Sequence, residues 1–74
     1  MADEVLRSKI GERLRSLRRD AGLTQEEIAD YGGVHVDAVS LAERGVTNVT
    51  VDALKKMLAP LKLSVSEFLA SIGE

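Results

Sequence analysis

Three residues near the middle of the chain have the side chains of a nucleophilic site. His35, Asp37 and Ser40 lie within six positions. Serine, histidine and aspartate together can form a catalytic triad, in which the histidine and aspartate activate the serine hydroxyl as a nucleophile. On the single short helix predicted for residues 36–44, the three groups cannot adopt the mutual geometry that this chemistry requires. His35 is the only histidine in 74 residues, and there is no cysteine, which excludes thiolate or histidine metal centres and disulfides. The sequence therefore predicts that the protein is not an enzyme and uses no cofactor or metal.

The other side chains that can do chemistry are charged, and they are distributed unevenly. The formal net charge is −2, which argues against a generic binder of nucleic acid. Six of the ten lysines and arginines nevertheless fall between residues 7 and 19, whereas residues 23–45 hold one base against five acids, a local balance of −4. Any contact with a polyanion must therefore depend on the first segment, although most runs of charge are simply solvated surface.

Apolar periodicity and capping residues divide the chain into five predicted helices and no strands. The first ends at Gly22, a natural C-terminal stop. Thr24 begins the second, since Glu27 completes a capping box in which each side chain binds a free backbone N–H. Gly32 and Gly33 end it, because both tolerate a positive φ and so permit a sharp reversal. The apolar stripe of the first helix is Leu6, Ile10, Leu14, Leu17 and Ala21.

The third predicted helix follows the reversal directly. It extends from about Val36 to Arg44, so residues 24–44 form a helix, a tight turn and a second helix. Thr50 can cap a fourth helix. Pro60 must end or bend this helix, because proline lacks an N–H and crowds the carbonyl four residues earlier.

A short final helix is predicted over about residues 65–72. Ser64 and Glu67 form its capping box. Its apolar content is large for a terminal helix and favours a homodimer interface, although the same side chains could simply close the core of the monomer. The candidates for this interface are Val65, Phe68, Leu69 and Ile72.

The length predicts one domain over residues 1–74, which would bury roughly 60% of its unfolded surface and gain stability from a partner subunit. Acids occupy the N-terminal region, where a secretory signal would carry bases, and no apolar run approaches the roughly 20 residues that span a bilayer. We therefore expect a cytoplasmic protein without membrane contacts.

The order and spacing of these features resemble the Cro/lambda-repressor (Xre-type) helix-turn-helix family over nearly all of residues 10–69. The resemblance rests on "LR" with Arg18 in helix one, "GLTQEEIA", "GV" before helix three, "ERG" after it, Asn48 in the next loop, and "LKLS" near the end. The "RG…NVT" form of that loop is also similar to restriction-modification controller proteins. The resemblance implies an all-α, five-helix, lambda-repressor-like DNA-binding domain.

The resemblance also implies roles for individual residues, because helix two of the family lies across the DNA backbone. Gln25 matches a phosphate-contacting position, and Thr24 offers its backbone N–H nearby; both could instead be only cap residues. His35 occupies the place of a capping serine and is either a cap, an exposed ring or a phosphate contact. Asn48 is a turn residue or a backbone or phosphate contact. Arg13, Arg15 and Arg19 complete the phosphate candidates.

Helix three of the family enters the major groove, where each base pair has a distinct donor and acceptor pattern. Val39 and Ala42 match core positions. Arg18 and Glu43 match a partly buried ion pair that fixes this helix, since either partner alone would leave an unpaired charge. The outward positions, at i,i+4 spacing, are the base-reading candidates Val36, Asp37, Ser40, Leu41 and Arg44.

These base-reading positions depart from the family pattern. No guanidinium occupies a central one, so the common bidentate contact of arginine with guanine requires Arg44 to reach inward. Val36 or Leu41 could contact a thymine methyl group, Asp37 could accept from a cytosine amino group, and Ser40 could bind a base or a phosphate. We therefore expect modest sequence preference per half-site, with affinity from dimerisation and phosphate contacts.

Two functions are consistent with this sequence. The first is a homodimeric regulator that binds a palindromic operator in double-stranded DNA, as a repressor, a controller-type regulator or an antitoxin with a cognate protein encoded nearby. The alternative is a domain of the same fold that has become a protein-interaction module, with Val36 and Leu41 exposed and Asp37 repelling phosphate.

Overall fold

The computed structural model describes residues 2–73, with side chains from Glu4 onward, and this part of the chain contains five α-helices and no strand. The all-α prediction and the number of helices are therefore confirmed. The helices are α1 (Ala2–Asp20), α2 (Gln25–Gly32), α3 (Val36–Arg44), α4 (Val51–Leu58) and α5 (Val65–Ser71), with a short 3-10 helix (Ala59–Leu61) between α4 and α5.

The core lies between α3 and the helices α1 and α2 that pack against it, and α4 packs against α2 and α5. The largest fully buried side chains of the core come from three helices and are Val39, Met57, Leu58 and Phe68. Phe68 is 0% exposed within a single chain, so the prediction that it contacts a dimer partner is wrong: the monomer core already uses its apolar surface. Ala21 is exposed and follows the end of α1, so it does not belong to the buried stripe.

Local hydrogen bonds set the helix boundaries at the predicted capping residues. The Thr24 hydroxyl accepts from the Glu27 N–H at 3.0 Å, and the Glu27 carboxylate accepts from the Thr24 N–H at 2.9 Å. Ser64 and Glu67 form the same reciprocal pair at 3.0 Å each. Pro60 follows the end of α4 and forms part of the 3-10 turn, which agrees with its expected role as a stop.

The two glycines that end α2 have different roles. Gly33 has φ 72°, the left-handed conformation that makes the reversal before α3. Gly32 is still helical, and a Cβ atom on it would lie 2.5 Å from the Lys56 carbonyl oxygen of α4. The expectation that both glycines serve the turn is therefore wrong for Gly32, which instead permits the close approach of α2 and α4.

Gly11 permits a similar approach between α1 and α3. A Cβ atom there would lie 2.5 Å from the Glu43 carbonyl oxygen and 2.6 Å from that of Ala42. These backbone oxygens cannot move without moving α3. A glycine in the middle of α1 therefore determines how closely α3 lies against it.

Candidate nucleic-acid interface

The second and third helices form a helix-turn-helix unit with one side of α3 exposed. The Val34 N–H closes the turn by donating to the Ala29 carbonyl at 3.0 Å. Val39 and Ala42 are each 1% exposed and hold α3 against the core. The opposite side of α3, which we call the reading face, is half-buried at Ser40 and exposed elsewhere, and it consists of Val36, Asp37, Ser40, Leu41 and Arg44.

Glu43 is the buried charged residue that joins α3 to the two helices before it. Its side chain is 1% exposed. Arg18 donates to both carboxylate oxygens, from Nε at 2.7 Å and from Nη2 at 3.0 Å. The Gln25 amide donates to Oε1 at 3.1 Å, and the Arg15 Nε lies 3.7 Å from the same oxygen. We call these four side chains the Glu43 network, and they fix the orientation of the reading face relative to α1 and α2.

The charge state of Glu43 follows from a balance of opposing effects. Burial raises the pKa of the carboxyl, but the hydrogen bonds from Arg18 and Gln25 and the charges of Arg18 and Arg15 outweigh burial. The pKa of Glu43 therefore lies below its ordinary value, and the carboxylate is charged at neutral pH. The hydrogen bond that Arg18 donates to Glu43 raises the pKa of the Arg18 guanidinium. Arg18 also donates to the Leu23 carbonyl at 2.8 Å, so the guanidinium holds the turn between α1 and α2.

Two predicted phosphate ligands on α2 are already engaged within the chain. The Thr24 N–H, expected to be available to phosphate, donates instead to Glu27, and this part of the prediction is wrong. Gln25 uses its amide to support Glu43. The N–H groups of Gln25 and Glu26 have no partner among the described residues, as expected in the first turn of a helix.

The arginine run of α1 is divided between two sides of the molecule. Arg15 belongs to the Glu43 network, whereas Arg13 donates from Nε to the Ser71 hydroxyl of α5 at 3.2 Å. Arg19 follows Arg15 by four positions and is exposed. The structure therefore brings Arg15 close to the helix-turn-helix unit and pairs Arg13 with the C-terminal helix.

The N-terminus of α3 has no side-chain cap. His35 has the extended backbone of a capping residue, φ −74° and ψ 143°, yet its ring makes no capping hydrogen bond. The capping alternative for this residue is therefore wrong, and its ring is exposed beside the first turn of the reading face.

Arg7 is a residue of the site that sequence reasoning missed. Its Nη1 donates to the Asn48 Oδ1 at 2.9 Å, so α1 holds the loop that follows α3. Asn48 is consequently more than a local turn residue, although its NH₂ group is not part of this bond. The two residues are 41 positions apart, and only the family match of Asn48 marked this loop in the sequence.

The remaining candidates for a dimer interface lie on α5. Val65, Leu69 and Ile72 are half-buried and pack against the core with part of their surface. Ile72 also borders an open cleft of about 360 Å³ shared with α1 residues Lys9 and Arg13. These three side chains keep apolar surface that a second subunit could cover.

The part of the chain that the structure describes holds no cluster of three His, Asp or Glu side chains suited to a metal ion. None of its helices combines the length and apolar character needed to cross a membrane.

The arrangement of α2, the turn and α3 is that of a helix-turn-helix domain of the Xre type. Residues 14–68 match the family model HTH_3, described as helix-turn-helix, and the chain belongs to this family. The resemblance seen in the sequence is thereby confirmed.

Named relatives are transcriptional regulators. The chain is 35% identical over 69 residues to the uncharacterized HTH-type transcriptional regulator y4dJ of Sinorhizobium fredii, covering 93% of this chain and 90% of that protein. It is also 35% identical over 68 residues to the HTH-type transcriptional regulator PuuR of Escherichia coli, covering 92% of this chain but 36% of PuuR. The chain thus spans about a third of PuuR.

A solved structure extends the similarity to controller proteins. A variant of the restriction-modification controller protein C.Esp1396I superposes with a TM-score of 0.82 at 28% identity, covering 90% of this chain and 87% of the controller. This likeness agrees with the similarity of the loop after α3 to controller proteins.

Proposed function

We propose that the chain is a sequence-specific transcriptional regulator that binds a palindromic operator as a homodimer, either as a repressor or as a controller-type regulator. The observation that carries the proposal is the geometry of α3. Its inner side is fixed by the Glu43 network, and its reading face makes no side-chain hydrogen bond or ion pair within the described residues. A rigid helix with a free outer face is the arrangement that base reading requires.

Phosphate contacts would supply most of the affinity. The first-turn N–H groups of α2 and the bases Arg15 and Arg19 are the groups available for them. The acidic balance of residues 23–45 opposes the phosphates, so one subunit would bind weakly. Two subunits on two half-sites add their contacts, which supports the homodimer.

Fluorescence anisotropy with labelled duplexes tests this function. We expect the protein to prefer the region upstream of its own gene over a random duplex, and its affinity to fall as salt rises because counterions are released from phosphates. Asp37→Ala should change which sequence is preferred, whereas Arg15→Ala should weaken all sequences alike. Asp30→Ala, on the exposed side of α2, is the matched control. Equal affinity for upstream and random DNA at low salt would contradict the proposal.

A second candidate function is a protein-interaction module, and one observation favours it. Val36 and Leu41 are 39% and 38% exposed, and Val46 beyond α3 is 57% exposed. Apolar side chains of this kind form the centres of protein interfaces, and Asp37 repels phosphate. Absence of DNA binding by a folded protein would support this alternative.

A further inference from the structure

The reading face of α3 combines a carboxylate with apolar side chains at short range. Asp37 and Leu41 are one helical turn apart, which places them side by side, and Val36 precedes Asp37 directly. Asp37 is exposed and makes no side-chain hydrogen bond or ion pair within the described residues. Leu41 and Val36 each keep about two fifths of their surface exposed.

An exposed carboxylate in the major groove accepts hydrogen bonds and cannot donate them. Guanine presents the acceptors N7 and O6, thymine presents the acceptor O4, and adenine places the acceptor N7 beside its amino group. Cytosine presents the N4 amino donor without a neighbouring acceptor at its major-groove edge. Asp37 therefore favours cytosine and disfavours the other bases through repulsion between acceptors.

The apolar neighbours of Asp37 favour a different chemical group. Leu41 and Val36 gain contact with a methyl group on C5 of a pyrimidine, and in unmodified DNA only thymine carries one. On thymine, however, O4 would face the Asp37 carboxylate. A single base that satisfies both kinds of side chain has an amino group on C4 and a methyl group on C5, which is 5-methylcytosine.

We propose that the reading face distinguishes 5-methylcytosine from cytosine, with Asp37 accepting from the N4 amino group and Leu41 or Val36 in contact with the C5 methyl group. This inference rests on the proposed function, because it requires α3 to enter the major groove. The Glu43 network holds α3 from its inner side, so the outward residues keep a fixed orientation relative to α1 and α2. Methylation then acts as a signal that strengthens binding at a contacted cytosine.

The same methyl contact could come from two sources. One is the C5 methyl group of the cytosine that Asp37 contacts, and the other is the methyl group of a thymine on a neighbouring base pair. In the second case Asp37 and the apolar side chains read adjacent unmodified bases, and methylation of the cytosine adds nothing. The experiment must therefore vary the cytosine alone and leave its neighbours unchanged.

The experiment begins with selection of bound duplexes from an unmodified random library by the full chain. In the preferred sequence, each cytosine is then replaced singly by 5-methylcytosine and by thymine, with the partner base adjusted for thymine. Dissociation constants are measured by fluorescence anisotropy. At the contacted position we expect 5-methylcytosine to bind about fourfold more tightly than cytosine, the equivalent of about 0.8 kcal/mol for one buried methyl group. Thymine should bind more weakly than cytosine.

Variants assign these effects to side chains. Leu41→Ala and Val36→Ala remove apolar contact, and at least one should abolish the gain from methylation while keeping the preference for cytosine over thymine. Asp37→Asn should lose that preference, because an amide can donate to O4 of thymine. Asp30→Asn, an exposed acid on α2, is the matched control and should change neither effect.

The outcomes separate this inference from the proposed function. If a preferred sequence emerges but no cytosine gains affinity on methylation, the inference is overturned and base reading stands. A methylation gain that survives both Leu41→Ala and Val36→Ala also overturns it. If no sequence is enriched at all, the proposed function itself fails.

Discussion

At the scale of single residues, Glu43 decides how α3 is held. It is an acidic side chain directed inward, 1% exposed, and its oxygens receive hydrogen bonds from α1 and α2. Removing one member of a buried ion pair is costly because the other charge stays in a poorly solvated place. Without Glu43, the charge of Arg18, whose side chain is 12% exposed, would be left unpaired and poorly solvated.

Glu43→Ala should therefore lower the free energy of unfolding by about 3 kcal/mol, measured by urea denaturation followed by circular dichroism. Glu12→Ala, at an exposed position of α1, is the control and should change the stability by less than about 0.5 kcal/mol. A Glu43 variant as stable as the wild type would show that the network does not fix α3.

The lowered pKa of Glu43 gives this contribution a pH dependence. A carboxyl with a folded-state pKa below its ordinary value of 4.5 stabilises the fold above that pH and loses this effect as pH falls through the folded-state value. The stability difference between the wild type and Glu43→Gln should therefore stay constant above the ordinary value of 4.5 and shrink as the pH is lowered below it. Urea midpoints on both sides of this value measure it, and a difference that stays constant below it would contradict the assignment.

Residue roles were predictable from sequence where they depend on neighbours in the chain. The reciprocal hydrogen bonds of Thr24 with Glu27 are local, and their spacing predicts them. The contact of Arg7 with Asn48 and the complete burial of Phe68 depend on how separate helices meet. An apolar side chain on a terminal helix has the same pattern whether it faces the monomer core or a partner.

At the scale of elements, the contact between α1 and α3 depends on the absence of a side chain at Gly11. Alanine is usually the better residue in a helix by about 1 kcal/mol. Here its Cβ atom would lie 2.5 Å from the Glu43 carbonyl oxygen, so α1 and α3 would have to separate.

Gly11→Ala should therefore destabilise the protein by about 1 to 3 kcal/mol instead of stabilising it, as measured by thermal and urea denaturation. It should also weaken DNA binding, because the reading face moves with α3. As a control, Ser16→Ala at an exposed position of α1 should be neutral or slightly stabilising. A stabilised Gly11→Ala protein would contradict the close contact described for these helices.

Helix boundaries followed from the sequence more closely than helix contacts did. The predicted bounds of α3 match the structure because Gly33 and Gly45, both at positive φ, flank it. Gly32 shows the limit, since two adjacent glycines have the same signature for a turn and for a close approach of helices. Only the position of Lys56 on α4 distinguishes the two.

At the scale of the whole molecule, a dimer would place two reading faces on one duplex. A two-fold axis between subunits matches a palindromic operator when the reading helices are about 34 Å apart, one turn of DNA. With Phe68 confined to the core, the apolar surface of α5 that remains for a partner is that of Val65, Leu69 and Ile72.

Leu69→Ser should consequently shift the protein from dimer to monomer at tens of micromolar, about the concentration at which a weak dimer forms. Sedimentation velocity measures this shift, and circular dichroism checks that the variant is folded. Val51→Ser removes an apolar side chain that is 70% exposed on α4 and should leave the dimer intact. If the wild type is a monomer at this concentration, the prediction that α5 forms a dimer interface is contradicted.

Selection from a random duplex library tests whether the outward side chains of α3 read base sequence. We expect the wild type to enrich one palindromic sequence, and Asp37→Ala to enrich a different sequence with the same half-site spacing. Enrichment of the same sequence by both proteins, or of none by the wild type, would contradict base reading by α3.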